Sequence, residues 1–401
     1  MNLPASPEPL SVVCRYRSSL IRDHSSDQLR SGEGSLLPLS PRKLALVYTE
    51  FTGGRSDDSR AHLVLTISHD EGESWSVPKL FFQPPPDACN AMGASLLRLH
   101  DGRIACTFAI KYSLLRLTPY CCFSSDNGES WTPPQAVTAE SGYFVINNDR
   151  LIQTRDGLLI LPYALHEGIG TRTSEGEWEP CWNARCGLFY SKDGGRNWQR
   201  SAHTITHTPD IFHEPLHRIA DLPENVNREF ALGLGIVQEP GVQELEGGSL
   251  MLYMRSLTSI YRCFSQGVEA SWESCAPIPG LHVCLSAPVI RSIPGSNRLL
   301  MFYNDRGAIP FGTPEFARRT PHSVAISDDA GRTWQRIGQL ESDEKAYCYF
   351  SLWLDEHKFY TTCYESVLAP DDSLQSLASL KFGKGEIPPL LAIEPGLPAM
   401  K

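Results

Sequence analysis

The amino-acid sequence predicts an all-β chain, a single six-bladed β-propeller spanning residues 1–401. Three observations carry this expectation. A turn motif, Ser-x-Asp-x-Gly-x-x-Trp, recurs along the chain; a pair of apolar strands recurs between its copies; and the 3.6-residue apolar periodicity of helices is almost absent.

The turn motif reads SHDEGESW at 68–75, SSDNGESW at 124–131, SKDGGRNW at 191–198 and SDDAGRTW at 327–334. A degenerate copy, SQGVEASW at 265–272, keeps Ser265, Gly267 and Trp272 but lacks the Asp. Each residue type suits a tight turn. The carboxylate accepts backbone N–H bonds across it, glycine permits a positive φ, and tryptophan packs between neighbouring sheets. These carboxylates are therefore read as structural locks and not as candidates for catalysis.

The strand pairs lie at 34–51, 93–110, 149–165, 240–256, 287–305 and 349–366, each an apolar run, a turn containing Gly, Asp or Pro, and a second apolar run. A third strand leads into the turn motif and a fourth follows it, which makes four strands per unit. The stretch 11–18, containing SVVCRYR, is expected to supply the strand that completes the last unit and closes the ring.

The 41% hydrophobic content is enough for a sizeable core, and the net charge of −10 argues against nucleic-acid binding. No run reaches the roughly 18 apolar residues of a membrane helix. The first residues carry no leader pattern, so a cytoplasmic location is expected. Among the 12 cysteines, Cys106, Cys263, Cys284 and Cys363 fall in apolar strand-like runs and no C-x-x-C pair occurs. Buried free thiols are expected, and no structural zinc.

The turns resemble the Asp-boxes, or BNR repeats, of the sialidase superfamily, and boxes and hairpins follow the family's order along nearly the whole chain. Asp-boxes specify fold better than reaction, so chemistry has to come from the axial ends of the inner strands. The resemblance implies three arginines on a sugar carboxylate, a tyrosine nucleophile assisted by a glutamate, and an aspartate acid/base. The physical logic is coherent: an anionic sugar repels a carboxylate nucleophile, whereas a phenol approaches neutral and is activated by a neighbouring glutamate. Guanidinium also pairs bidentately with a carboxylate.

Carried onto this sequence, the resemblance implies Glu239 just before hairpin 240–256, with Arg255 closing that hairpin. It implies Tyr349 at the start of hairpin 349–366, with Tyr347, two residues earlier and read as lying on the same face, as its competitor. Tyr364 follows in a Tyr-Glu pair that resembles the family's ending of this strand. A further arginine is Arg319 or its neighbour Arg318, and the acid/base is Asp57 or Asp58, beside Arg55 on the loop after the first hairpin.

Two departures stand out. The family's Arg-Ile-Pro is replaced by LRSGEGSLLPL, where the arginine's position falls near Gly32 or Glu33 and Arg30 lies two or three residues early. If Arg30 falls short of the centre, the triad shrinks to two and Glu33 meets the ligand, favouring a neutral or hydroxyl-rich one. At the start of the third hairpin, Asn147, Asn148, Asp149 and Arg150 offer either a second acid and a substitute anion clamp or a strand cap. His166, and His213 with Glu214, are candidates for the rim.

The expected function is an exo-acting glycoside hydrolase of sialidase-like type, releasing a terminal acidic sugar from a carbohydrate substrate with no metal or organic cofactor implied. The alternatives are a glycosidase or lyase acting on another sugar such as a uronic acid, and a non-catalytic glycan-binding propeller.

Overall fold

Strand-forming runs broken at regular intervals by turn residues resolve into antiparallel units, each pairing its strands in chain order. The computed structural model describes residues 15–387 apart from 55, 168, 173–177, 181–183, 207–236, 257–258, 282, 284–285, 306–317 and 368–376. The first unit comprises Arg30–Ser40, Lys43–Phe51, Ala61–Ser68 and Lys79–Phe82. The second comprises Asn90–Arg98, Ile104–Ser113, Arg116–Ser124 and Gln135–Ala136. In the third, Ile152–Gln153 and the preceding Tyr143–Val145 both pair with Leu159–His166, followed by Ala184–Ser191 and Gln199–Arg200. The fourth runs Gln238–Glu244, Leu250–Arg255, Ile260–Ser265, Glu273–Pro277. The fifth runs Val289–Ser292, Leu299–Asn304, His322–Ser327, Gln335–Glu341. Lys345–Leu354, Lys358–Val367 and Ala378–Glu386 form the last unit, whose outer position is filled by Arg17–Arg22. The fold is all-β.

That outer strand corrects the expectation of a closing strand within 11–18. Its apolar part, up to Cys14, lies outside the described residues, and the pairing begins at Arg17, opposite Lys384. An outermost strand has one face in water, so the polar RSSLIR serves and needs no apolar run.

The core divides between neighbouring units. Val47 and Leu63 of the first unit pack with Leu96 and Cys106 of the second. Ala105 and Ala109 pack with Phe144 and Leu161 of the third, and Leu188 with Leu252 of the fourth. Met251 packs with Met301 of the fifth, and Phe302 with Phe350 of the last. Leu46 and Tyr48 of the first unit meet Tyr360 and Phe382 of the last.

The turn motifs join these layers. In the first, Ser68 Oγ donates to Asp70 Oδ1 at 2.8 Å and accepts from Gly72 N at 2.7 Å, while Asp70 accepts from Ser74 N at 2.9 Å. The same pattern recurs around Asp126, Asp193 and Asp329. Hydrogen bonds from Ser74 lower the Asp70 carboxyl to about 2. Trp75 meets Phe382 edge-on at 5.4 Å and Trp131 meets Phe81 at 5.1 Å, so each indole touches the preceding unit. Gly195, at φ 89°, lies so close to Phe123 that an added Cβ would fall 2.3 Å from its ring. In the degenerate copy Ser265 Oγ donates instead to Gly267 O, and the Trp272 indole donates to His203 O of the neighbouring unit.

A second recurrent feature lies near the start of the first strand in several units. The register of these strands breaks between Gly32 and Ser35, Met92 and Ser95, Gln238 and Gly241, and Cys348 and Ser351. Each break holds one residue at positive φ: Glu33 (50°), Gly93 (71°), Glu239 (48°) and Tyr349 (54°). Asp149 (58°) stands in the same place ahead of the third unit's inner strand. These are β-bulges, which re-aim a side chain and interrupt the ladder.

Cys106, Cys263 and Cys363 are buried free thiols, as expected, while Cys284 lies outside the described residues. Among the described residues no helix is long and apolar enough to cross a membrane.

His322 is fully buried, stacked 4.2 Å from Phe350 and edge-on to Phe302, with neither ring nitrogen hydrogen-bonded to a described residue. Burial pushes its imidazole down to about 3, with Lys381 adding to the effect. The unfolded chain takes up this proton below about pH 6.5 and the folded chain only near 3, so stability falls as pH drops across that window. The expected slope is up to ~1.4 kcal/mol per pH unit. Melting curves from pH 7 to pH 3 should show this acid limb, and His322→Leu should flatten it; an unchanged limb would remove His322 as its source.

Candidate active site

The bulges bring residues distant in sequence to one place. Tyr349 donates its hydroxyl to Glu239 Oε1 at 3.0 Å, across 110 positions of chain. Glu239 Oε2 forms an ion pair with Arg255 Nε, and Arg255 Nη2 donates to Gln238 Oε1 at 3.1 Å. The Arg319 guanidinium lies 5.2 Å from the centre of the Tyr349 ring. Burial pushes the Tyr349 hydroxyl far above the usual phenol range and Glu239 adds to this, against Arg319 and Arg255. The phenol is thus a neutral donor whose hydroxyl faces the Glu239 carboxyl. Arg318, the alternative to Arg319, is half-buried beside it.

Arg30 reaches this cluster, contrary to the concern that it stands too early. Its guanidinium donates to Asp57 Oδ1 at 2.6 Å, lies 3.7 Å from Glu33 Oε1 and covers the Phe51 ring. The bulge explains the reach: Arg30 belongs to the strand before the break, where a long side chain extends across the face that Glu33 enters. Tyr364 completes the group, donating to Glu33 Oε1 at 3.3 Å and meeting the Tyr349 ring edge-on at 5.9 Å. Gly32 is required here, because a Cβ would fall 2.2 Å from the Tyr364 ring. Glu365, next in the strand, points the other way and accepts from Lys381. Burial raises the Glu33 carboxyl to about 7 in spite of Arg30.

The two loop acids separate. Asp57, two-thirds exposed at 65%, pairs with Arg30, whereas Asp58 pairs at 2.5 Å with Lys111, whose side chain is almost fully buried. Asp57 is raised by desolvation but lowered more by Arg30 and Lys111, and ends below the usual carboxylate range. Buried Asn90 holds the loop by donating to Asp57 O at 2.8 Å and Ser59 O at 2.9 Å. Lys111 lies 5.3 Å from the Tyr143 ring, which in turn meets His166 edge-on. His166 is thereby a buried neighbour of the Lys111–Tyr143 pair. Lys111, Asn90 and Tyr143 were not singled out in the sequence. The available signal was a lysine closing the apolar strand IACTFAIK.

Several candidates stand elsewhere. Tyr347 does not share a face with Tyr349: the bulge after Cys348 reverses the alternation, and Tyr347 is buried with Phe350 and Cys363 in the inter-unit core. Asp149 has both oxygens engaged, Oδ1 by Ser35 Oγ, Oδ2 by Arg291 Nη2 and Leu352 N. With Leu36, Gln243 and Leu352 it borders a cavity of about 670 Å³ formed by residues that follow the bulges. Arg150 is buried, donating to Pro288 O at 2.7 Å. These two residues tie the inner strands together, which is the capping alternative of the two readings. Asn148 donates to Gly34 O and to Tyr349 O, bracing the Tyr349 bulge. Asn147 is buried beside it. Arg55, His213 and Glu214 lie outside the described residues.

Substitution should separate the acids. Asp58→Ala leaves Lys111 buried without its ion-pair partner and is expected to destabilise the fold by roughly 2–4 kcal/mol. Asp57→Ala leaves Arg30 with Glu33 and should lower stability by less than about 1 kcal/mol. Urea unfolding of both variants checks this; equal losses would contradict the division.

Residues 111–361 match the BNR repeat-like domain family. A sialidase of Bacteroides fragilis (strain YCH46) is 25% identical over 258 residues, which cover 61% of this chain and 39% of that protein. The chain therefore spans about two-fifths of this relative's length. Trypanosoma rangeli sialidase in complex with sialic acid superposes with a TM-score of 0.63 at 13% identity, covering 92% of this chain and 58% of the other. A Dyadobacter fermentans protein of unknown function superposes at 0.63 with 16% identity, covering 93% and 99%. At such identities the structural likeness is one of fold. The family match takes in well over half of the sequence, and by it the chain belongs to the BNR repeat-like domain family.

Proposed function

We propose that the chain is an exo-acting glycoside hydrolase of sialidase-like type that releases a terminal acidic sugar, working in a single domain over residues 1–401 with the form of a six-bladed β-propeller. The core clusters support the ring, since they link each unit to the next and the last to the first. The observation that carries the reaction is the hydrogen bond at 3.0 Å between the Tyr349 hydroxyl and Glu239.

The proposed steps use residues of this cluster alone. The sugar carboxylate binds Arg255 and Arg319, with Arg30 at the edge. Tyr349 Oη attacks the anomeric carbon while its proton passes to Glu239. The glycosidic C–O bond breaks, and the leaving oxygen takes a proton from Asp57. Asp57 is ionised while Arg30 pairs with it; a ligand carboxylate that draws Arg30 away lets it take up the proton it must deliver. Water then attacks the tyrosyl-linked sugar, losing a proton to Asp57, and Tyr349 recovers its own from Glu239. Asp57 is preferred to Asp58 because Lys111 already occupies the latter.

A screen of terminal sialosides and uronosides tests the reading. Release of an intact sugar is expected, with Tyr349→Phe lowering turnover by about 10³-fold or more while retaining binding. Unchanged turnover in Tyr349→Phe would remove the nucleophile assignment. An ultraviolet-absorbing unsaturated product would replace hydrolysis by elimination.

A further inference from the structure

Glu33 has no part in the reaction steps above, yet it occupies in the first unit the bulge position that Glu239 and Tyr349 occupy in theirs. It is buried, accepts from Tyr364 and lies beside Arg30, so it brings a carboxyl into the very group of cations available to an anionic ligand. There Arg30 pairs with both Glu33 and Asp57, Arg255 with Glu239 and Lys111 with Asp58, while Arg319 lies over the Tyr349 ring.

We propose that Glu33 is a specificity-determining residue that competes with the ligand's carboxylate for Arg30, so that the pocket accepts an anionic sugar when Glu33 is neutral and favours a ligand hydroxyl at this point when it is charged. The inference rests on the functional reading above and adds what selects the ligand. The charged and titratable groups around Glu33 are Arg30 on its own strand, Asp57 on the following loop, Tyr364 and Cys348 in the last unit, and Glu239 in the fourth. Around neutral pH the arginine stays charged, Asp57 ionised, and the phenol and thiol neutral. The burial that raises Glu33 to about 7 makes it the group that changes.

Isothermal titration calorimetry of the full chain with sialic acid, and with galactose as neutral comparator, at pH 6 and pH 8 tests this. With a midpoint near 7 the neutral fraction falls about tenfold over that interval, and sialic acid affinity should fall with it while galactose binding does not. Glu33→Gln should bind sialic acid about tenfold more tightly than the native chain at pH 8 and lose this part of the pH dependence. Tyr364→Phe removes a hydrogen bond that favours the charged form, and should move the midpoint to higher pH. Sialic acid binding with the same pH dependence in Glu33→Gln as in the native chain would overturn this inference and leave the functional reading standing. Absence of sialic acid binding in every variant at both pH values would overturn both.

Discussion

A tyrosine at φ 54° and glutamates at 48° and 50° are held in a backbone region that L-residues avoid at about 1–2 kcal/mol each. The site depends on that constraint. An unbroken first strand would alternate its side chains between the two faces of its own unit and bring none of these three to the common cluster. One inserted residue per strand turns Tyr349, Glu239 and Glu33 inward, and the opposing units then set their distances. The strain is offset where the bulges touch each other. Asn148 bonds the carbonyls of Gly34 and Tyr349, Ser95 Oγ accepts from Arg150 N and Leu151 N, and Asp149 links Ser35, Arg291 and Leu352. Asp149 and Arg150 matter because they hold the bulged strands against one another.

Charge is the second condition. Buried ions are costly unless paired, and here three of the four cations have a carboxylate: Arg255 has Glu239, Arg30 has Asp57 and Glu33, and Lys111 has Asp58, while Arg319 lies over the Tyr349 ring. The cluster can therefore exist without ligand. Such pairing also means that an anionic ligand must displace internal carboxylates from the arginines, so selectivity lies in how readily each carboxylate gives way. Asp57, exposed and with its side chain hydrogen-bonded among the described residues to Arg30 alone, gives way more easily than buried Glu33 does.

How much of this was legible follows from the range of the interactions. The turn motifs close on themselves within eight residues, Ser68 to Asp70 to Ser74 to Trp75, so their geometry is written locally. The hairpins follow from apolar alternation and were placed to within a few residues. Glu239 and Tyr349 were singled out through the family pattern, since nothing local joins residues 110 apart, and the fold brings the two into contact. Tyr347 was misread because alternation counted across Cys348 takes no account of an inserted residue. Arg30 was undervalued for the same reason, as counting along LRSGEGS puts it early while the bulge leaves it within reach. Lys111 and Asp58 come from a strand end and a loop with no shared period, and only the folded chain pairs them.

The central claim is that the bulges bring Tyr349 and Glu239 together as nucleophile and base. Reaction of the protein with a fluorinated acidic glycosyl fluoride that traps the covalent sugar–enzyme species, followed by peptide mapping by mass spectrometry, tests it most directly. The account predicts one sugar per chain, attached to the Tyr349 side chain. An adduct on Glu239, Glu33 or Asp57, or turnover of the reagent with no adduct on Tyr349, would contradict it.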